Sequence, residues 1–193
     1  MHKVDLKSHK DADIFFTADE HYYHFNIIKY CKRPFKNIED MNKKLINMHN
    51  SIVRKNSVVI HLGDFSLGGI DETIDIIESL NGRHIFLQGS HDKWLKGFDR
   101  IPESKLFLDA IHDILQVIVS EGPLIVCCHY AMRIWPSSHH GSWHVFGHSH
   151  GTLKPQGKSV DVGVDSHHFM PVSLKQLKEI MEKLPNNIGS SGI

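Results

Sequence analysis

Five apolar stretches of the chain each end in residues that carry an imidazole, a carboxylate or both. Taken alone, each ending is equally typical of an ordinary polar turn. Imidazole nitrogens and carboxylate oxygens are also the ligands that divalent transition metals prefer. Five such endings in one chain therefore indicate a metal site. The endings are Asp19-Glu20-His21, Gly63-Asp64, Gly89-Ser90-His91-Asp92, Cys128-His129 and Gly147-His148-Ser149-His150.

The segments before these endings have the pattern of alternating strands and helices. Helical spacing of apolar residues over 37–53, with Asn37 as its cap, and over 71–82, with Gly82 as its stop, predicts two helices between the first three strands. A third amphipathic helix is predicted at 174–184. We expect a layered α/β sandwich, two β-sheets flanked by helices, whose first half is parallel. The predicted strands lie at 13–19, 57–65, 83–92, 115–120, 124–130, 143–151 and 158–166.

The carboxyl ends of the strands should bring the five endings together. In open α/β sheets the loops that leave these ends share one edge of the sheet. Two metal ions about 3.5–4 Å apart can be bridged by a carboxylate and can stabilise a phosphoryl group during its displacement. The apparent absence of thiolates near the endings argues against a closed structural zinc site.

Length and composition indicate one domain without an obvious macromolecular partner. The chain has 193 residues with 22 basic and 22 acidic side chains, so its overall charge favours neither nucleic acid nor membrane binding. A polar N-terminus, three cysteines and no long apolar stretch are typical of a cytoplasmic protein. We expect a single domain over 1–184 and a frayed tail over 185–193.

The order of the five endings resembles the signature of the calcineurin-like metallophosphoesterases. That signature is Asp-x-His, Gly-Asp, Gly-Asn-His-Asp/Glu, a single His and Gly-His-x-His. The matching blocks span residues 19 to 150 in the correct order. The short chain is similar to the small bacterial or phage members without cap domains. The resemblance implies the four-layer metallophosphoesterase sandwich, with its metal site at the carboxyl ends of the strands.

The resemblance also implies a role for each block. One ion would be held by Asp19, His21 and His150, and a second by His129, His148 and residue 90, with Asp64 bridging the two. The ions would be Mn, Fe, Zn or Ni, and the hydroxide between them would be the nucleophile. His91 would stand beside the leaving-group oxygen as an acid or charge stabiliser, with Asp92 near enough to orient it.

Position 90 departs from the signature, which has Asn there. A Ser hydroxyl lies about one bond nearer its own backbone and is a poorer ligand than an amide oxygen, so we expect a weaker second metal site. Either the residue was changed deliberately to trap an inactive complex, or it is native to a tuned or decaying site.

Further residues near the blocks are candidates for binding a substrate. His24 follows His21 by three residues, and Arg33 and Arg133 can grip phosphate oxygens, although surface salt bridges are equally consistent with the two arginines. His139 and His140 lie in the polar loop 138–142 between two ligand blocks.

Two functions from different classes follow. The first is a phosphoesterase that hydrolyses a small phosphodiester or phosphomonoester, preferably a nucleotide-like one. The second is a binding or scaffold module that keeps the fold without turnover. Ser90 favours the scaffold, whereas His91 favours the enzyme, because a scaffold does not require a residue for proton transfer.

Overall fold

Within the residues that the structure describes, ten strands form two five-stranded sheets that are flanked by helices, which confirms the expected α/β sandwich. The structure is a computed structural model that describes residues 2–187. The strands are β1 (His2–Asp5), β2 (Ile14–Thr17), β3 (Val58–His61), β4 (Arg83–Leu87), β5 (Leu106–His112), β6 (Ile114–Ile118), β7 (Ile125–Cys128), β8 (Trp143–Phe146), β9 (Ser159–Asp161) and β10 (Val172–Ser173).

The first sheet has the strand order β10-β2-β3-β4-β5, and the second has the order β1-β6-β7-β8-β9. Strands β2 to β5 are parallel, as expected for the first half of the chain, and β10 joins β2 antiparallel. In the second sheet β6 and β7 form the expected antiparallel pair, and β7, β8 and β9 run parallel. The loops after β2, β3, β4, β7 and β8 carry the five blocks.

The main core lies between the two sheets. Because side chains alternate along a strand, Ile14 and Phe16 of β2 enter this core, whereas Phe15 points to the opposite face. The same alternation in β3 and β4 places His61 and His84 on the outer face of the first sheet, among the buried aromatic rings of Phe65 and Phe86.

Helices α1 (Phe25–Tyr30), α2 (Ile38–Ile52) and α3 (Ile70–Ser79) contribute to a second apolar cluster, which also contains Phe86 of β4. The cap predicted for α2 is confirmed, because Asn37 accepts a hydrogen bond from the backbone of Asp40. The last helix, α4 (Leu174–Glu182), inserts apolar side chains into the main core. In the part of the chain that the structure describes, no helix has the length and apolar character needed to cross a membrane.

Three strands and one helix lack a clear pattern in the sequence. Strand β1 buries only Val4, β10 has two residues, and α1 has six, so none offers a full period of apolar residues. Strand β5 is largely half-exposed. The predicted strands are also longer than those observed, because the ligand-bearing residues at their ends lie in loops.

The start of the C-terminal tail differs from the expectation of fraying. Asn187 is buried; its amide donates to the carbonyls of Ser138 and Ser142, and its side-chain oxygen accepts from the backbone of Lys158. The fraying expected from 185 is therefore wrong for Asn187. Residues 188–193 of the expected tail lie outside the described residues.

Candidate metal centre

Two groups of three potential ligands lie at the carboxyl ends of the strands. Ligand atoms of Asp19, His21 and His150 lie within 4.8 Å of one another. The same holds for a second group, which is Asp64, His129 and His148. The structure thus assembles all six histidines and aspartates that the sequence proposed as ligands, from four loops of both sheets.

Asp64, a member of the second group, also faces the first. Its Oδ2 is 3.7 Å from Nε2 of His21 and 3.5 Å from Nε2 of His129. These imidazoles belong to different groups, so one carboxylate faces both. This is the position that a bridging ligand would take.

The orientation of the imidazoles fits divalent metal ions. Nδ1 of His129 donates to the carbonyl of Leu62, which leaves its Nε2 with a free lone pair that faces Asp64. Nε2 of His129 and Nε2 of His21 are both buried without a hydrogen-bond partner among the described residues. Buried polar atoms are rarely left unpaired, and metal ions would satisfy both. Nδ1 of His150 is similarly held by Asp165, at 2.7 Å.

Burial and mutual charge set the protonation of these groups. Burial lowers the pKa of His21 to about 2, so this imidazole is neutral and able to ligate at neutral pH. Burial raises the pKa of Asp19 to about 7. Burial also acts to raise the pKa of Asp64, but the nearby imidazole of His129 and the hydrogen bond from the backbone N–H of His91 outweigh it and hold that pKa below its usual range.

The ligands stand on an unusual backbone. Asp19, His21, Asp64, His148 and His150 all have positive φ, between 46° and 64°. Only a few per cent of non-glycine residues adopt this left-handed conformation, and Asp and His are among the types that tolerate it best. Such strain concentrates at functional sites, where the surrounding structure fixes it.

Two glycines allow the ligand loops to approach one another. A Cβ atom at Gly89 would lie 2.2 Å from the backbone nitrogen of Asp64 and 2.3 Å from its Oδ1. A Cβ atom at Gly147 would lie 2.5 Å from Cβ of Ala18 and 2.8 Å from Oδ2 of Asp19. Any side chain at these positions would displace an adjacent carboxylate.

Ser90 and His91 lie beside Asp64. The Ser90 hydroxyl is 3.1 Å from Oδ2 of Asp64, and the backbone N–H of His91 donates to Oδ1 at 2.8 Å. The ring of His91 is exposed, with its centroid 5.6 Å from that of His21 and 5.8 Å from that of His24. His24 also shares a hydrogen bond of 3.2 Å with His21. His24 and His91 therefore stand together next to the candidate ligands.

Asp92 does not orient His91, contrary to the sequence-based expectation. Its buried carboxylate accepts hydrogen bonds from the backbone N–H groups of Asp64, Phe65 and Gly89, at 2.7 to 2.8 Å, and from the indole of Trp94. With both oxygens occupied in this way, Asp92 fixes the loop that carries Asp64. It is a positioning residue rather than a catalytic one.

Arg33, a sequence-based candidate for contacting a phosphate or forming a surface salt bridge, is instead committed to a buried ion pair. Its guanidinium is fully buried and forms a bidentate pair with Asp165, at 2.8 and 2.9 Å. The same group donates to the carbonyls of Asp19 and Glu20. Arg33 therefore links the backbone of the loop after β2 to Asp165, the carboxylate that contacts His150.

Among the described residues, no hydrogen bond, ion pair or ring contact joins the remaining substrate candidates to the two groups. Arg133 is exposed and lines a cavity of about 160 Å³ together with Trp135 and Gln156. His139 and His140 stack on each other in the expected polar loop and line a separate cavity of about 320 Å³.

Several residues at the site were missed by reasoning from sequence. Asp161 is the last residue of β9 and Asp165 follows that strand, much as the other acidic residues follow theirs, so a signal for them was present. Asp165 also forms a third group of potential ligands with Cys31 and His150. The expectation that no thiol lies near the site is therefore wrong.

Comparisons with known proteins place the chain among its relatives. No family model matches the chain. The crystal structure of the protein of unknown function AQ665 from Aquifex aeolicus has the same fold, with a TM-score of 0.66, 22% identity, and coverage of 86% of this chain and 98% of that chain. The uncharacterized protein MJ1445 of Methanocaldococcus jannaschii is 32% identical over 179 residues, which cover 88% of this chain and 92% of that protein. The chain therefore belongs to the family of MJ1445.

Proposed function

We propose that the chain is a metal-dependent phosphoesterase with a centre for two divalent cations, Mn, Fe, Zn or Ni. The observation that carries the proposal is the position of Asp64, which belongs to the second three-residue group and also faces His21 of the first. Its support includes the two unpaired imidazole nitrogens that face this carboxylate. The resemblance of the five blocks to the calcineurin-like metallophosphoesterases agrees with it.

The residues have separate tasks in this proposal. Bound cations would activate a water molecule and neutralise charge on the phosphoryl oxygens. Asp19, His21 and His150 would hold one cation, and His129 and His148 would hold the other. Asp64 would bind both cations, and Ser90 would be a weak ligand of the second. His91, exposed beside Asp64, would donate a proton to the leaving oxygen, and His24 would contact the same side of the substrate.

A small substrate with a flat aromatic group, such as a nucleotide-like phosphodiester, is the preferred class. Tyr130 is 49% exposed, and its ring lies 4.8 Å from the rings of both His129 and His148. Tyr30 is 69% exposed and stands 6.3 Å from the ring of His24. These exposed aromatic rings beside the ligands would allow stacking on a base. The balanced charge of the chain does not favour a long nucleic acid.

The test is hydrolysis of bis-p-nitrophenyl phosphate by the metal-free protein after addition of Mn²⁺. We expect Mn²⁺-dependent turnover of this diester. In His91→Asn, turnover of an alkyl phosphodiester should fall at least about 100-fold, because its alkoxide leaving group needs a proton donor. His9→Asn is the matched control and should retain activity, because the ring of His9 packs on Phe107 near the start of β5, away from the ligand loops. Folded, Mn²⁺-loaded protein that hydrolyses neither this diester nor p-nitrophenyl phosphate would refute the proposal.

The alternative is a binding module that keeps the centre without turnover. It is favoured by Ser90, whose hydroxyl bonds to Asp64 where an amide ligand is expected from the resemblance. Ser90→Asn distinguishes the two functions. Absence of turnover in both the wild type and this variant, while both bind Mn²⁺, would favour the binding module.

A further inference from the structure

A chain of buried polar side chains runs along the outer face of the first sheet, from the loop after β2 to β4. Oε1 of Glu20 is 2.7 Å from Nδ1 of His61, and Nε2 of His61 is 2.9 Å from Nδ1 of His84. Glu20 is 4% exposed and the two histidines are fully buried. None of these residues is a candidate ligand.

The surroundings of this chain are apolar. The ring of His61 stacks on Phe86 with centroids 4.8 Å apart, and Phe65 meets its edge at 4.9 Å. Aromatic or aliphatic residues would fill such a space without the cost of removing a carboxylate and two imidazoles from water. A polar chain at this place therefore requires a reason other than packing.

These three side chains join the three elements whose loops carry five of the candidate site residues. Glu20 stands between Asp19 and His21, both on left-handed backbone. His61 is the last residue of β3 and precedes Asp64 by three residues. His84 lies on β4, whose following loop carries Ser90 and His91. Each hydrogen bond thus links one ligand loop or its strand to the next.

We infer that Glu20, His61 and His84 are positioning residues that fix the Asp19–His21 loop relative to Asp64, and so allow one carboxylate to serve both groups. Arg33 holds the carbonyls of Asp19 and Glu20 from the other side. The loop is then held by its backbone through Arg33 and by its side chain through His61. The inference rests on the proposed two-metal centre.

The test compares the binding of Mn²⁺ to the wild-type protein with its binding to variants at Glu20 and His61. Glu20→Leu/His61→Phe replaces the first hydrogen bond by apolar side chains of similar volume. Glu20→Gln keeps an acceptor oxygen for His61 and removes the charge. His49→Gln is the matched control, because His49 is buried next to His61 and His84 but bonds to the carbonyl of Asn81 instead.

Isothermal titration calorimetry gives the number and affinity of bound ions, and electron paramagnetic resonance shows whether two Mn²⁺ ions are exchange-coupled through a shared ligand. We expect the double variant to lose the coupled signal and to bind at least one ion about tenfold more weakly. Glu20→Gln should retain part of the coupling, and His49→Gln should match the wild type. Circular dichroism and cooperative thermal unfolding establish that each variant is folded.

A folded double variant with wild-type affinity and coupling would overturn the inference. If the double variant does not fold, unchanged coupling and affinity in Glu20→Gln would overturn it instead. In either case, a pair of exchange-coupled Mn²⁺ ions in the wild type would still support the proposed function. A wild type that binds no pair of ions would refute both, since there would be no centre to position.

Discussion

The hydroxyl of Ser90 donates to the carboxylate of Asp64, 3.1 Å from one oxygen and 3.3 Å from the other. This short side chain therefore reaches the carboxylate that faces both ligand groups. It stops there, because a Ser hydroxyl extends about one bond less than the oxygen of an Asn side chain. This relationship leads to the first prediction.

Ser90→Asn should strengthen the binding of a divalent cation by Asp64, His129 and His148. The amide oxygen extends further from the backbone and is a better ligand than a neutral hydroxyl, so we expect Mn²⁺ to bind about tenfold more tightly, equivalent to about 1.4 kcal/mol. Titration calorimetry measures the change. Ser90→Ala is the control; if the Ala variant gains as much affinity, the added ligand is not the cause.

Gly89→Ala should disrupt the centre, because a Cβ atom there would lie 2.2 Å from the backbone nitrogen of Asp64. We expect a loss of at least about 3 kcal/mol in the free energy of unfolding, measured with urea, together with weaker Mn²⁺ binding. Gly69→Ala is the matched control, since its nearest neighbour would be 3.7 Å away. Equal stability of the two variants would contradict the close approach of the two loops.

Asp92→Asn should destabilise the fold and weaken the centre together. An Asn amide would direct N–H groups at backbone donors that now bond to a carboxylate, including those of Asp64 and Gly89. We expect a loss of about 3 kcal/mol on urea unfolding. Asp99→Asn, at an exposed aspartate, should change stability by less than about 0.5 kcal/mol. An Asp92 variant as stable as this control would show that the loop does not depend on the carboxylate.

Arg33→Lys should not be tolerated, although the charge is kept. An ammonium cannot reproduce the bidentate pair with Asp165 and also bond to the carbonyls of Asp19 and Glu20. We expect a loss of about 3 kcal/mol, from urea unfolding, and weaker Mn²⁺ binding through the disturbed contact of Asp165 with His150. The matched change Arg133→Lys lies at an exposed side chain and should leave stability within about 0.5 kcal/mol.

His49 should make the fold less stable in mild acid. Burial lowers the pKa of His49 to about 3, from a usual value near 6.5, so the imidazole is neutral when folded and takes up a proton more readily when unfolded. Its contribution to stability is complete above pH 6.5 and is lost as the pH falls from there toward 3. Between pH 7 and pH 5 this loss should amount to about 2 kcal/mol.

The measurement is urea unfolding of the wild type and of His49→Gln at both pH values. The amide of Gln can still donate to the carbonyl of Asn81 but does not titrate. The wild type should lose about 2 kcal/mol more than the variant between pH 7 and pH 5. The same loss in both proteins would assign the acid sensitivity to other buried groups.

The fold and the assembly of the ligand groups follow from patterns that the sequence contains. Parallel strands bring their carboxyl ends to one edge, so a residue such as Asp64 or His129 can be placed by the strand before it. Short elements such as β10, and half-exposed ones such as β5, have no comparable pattern. Their places are set by pairing with distant strands.

The partners of buried charged residues could not be predicted in the same way. Arg33 and Asp92 have the residue types of a phosphate ligand and of a residue that orients a histidine. Their roles depend on which side of a loop faces inward, and only the fold determines that. Likewise, His61 has the spacing of a core residue, which it is, but its contact with Glu20 joins positions 41 residues apart.

The left-handed backbone of the five ligand residues narrows which amino acids can stand there. Asp19, His21, Asp64, His148 and His150 each need suitable donor atoms and also a side chain that tolerates positive φ. Asn meets the second demand as well as Asp does, whereas Glu, Val and Ile do not. Any redesign of the centre for another cation is therefore limited to a few amino acids at these positions. The backbone conformation restricts this choice before the chemistry of the metal does.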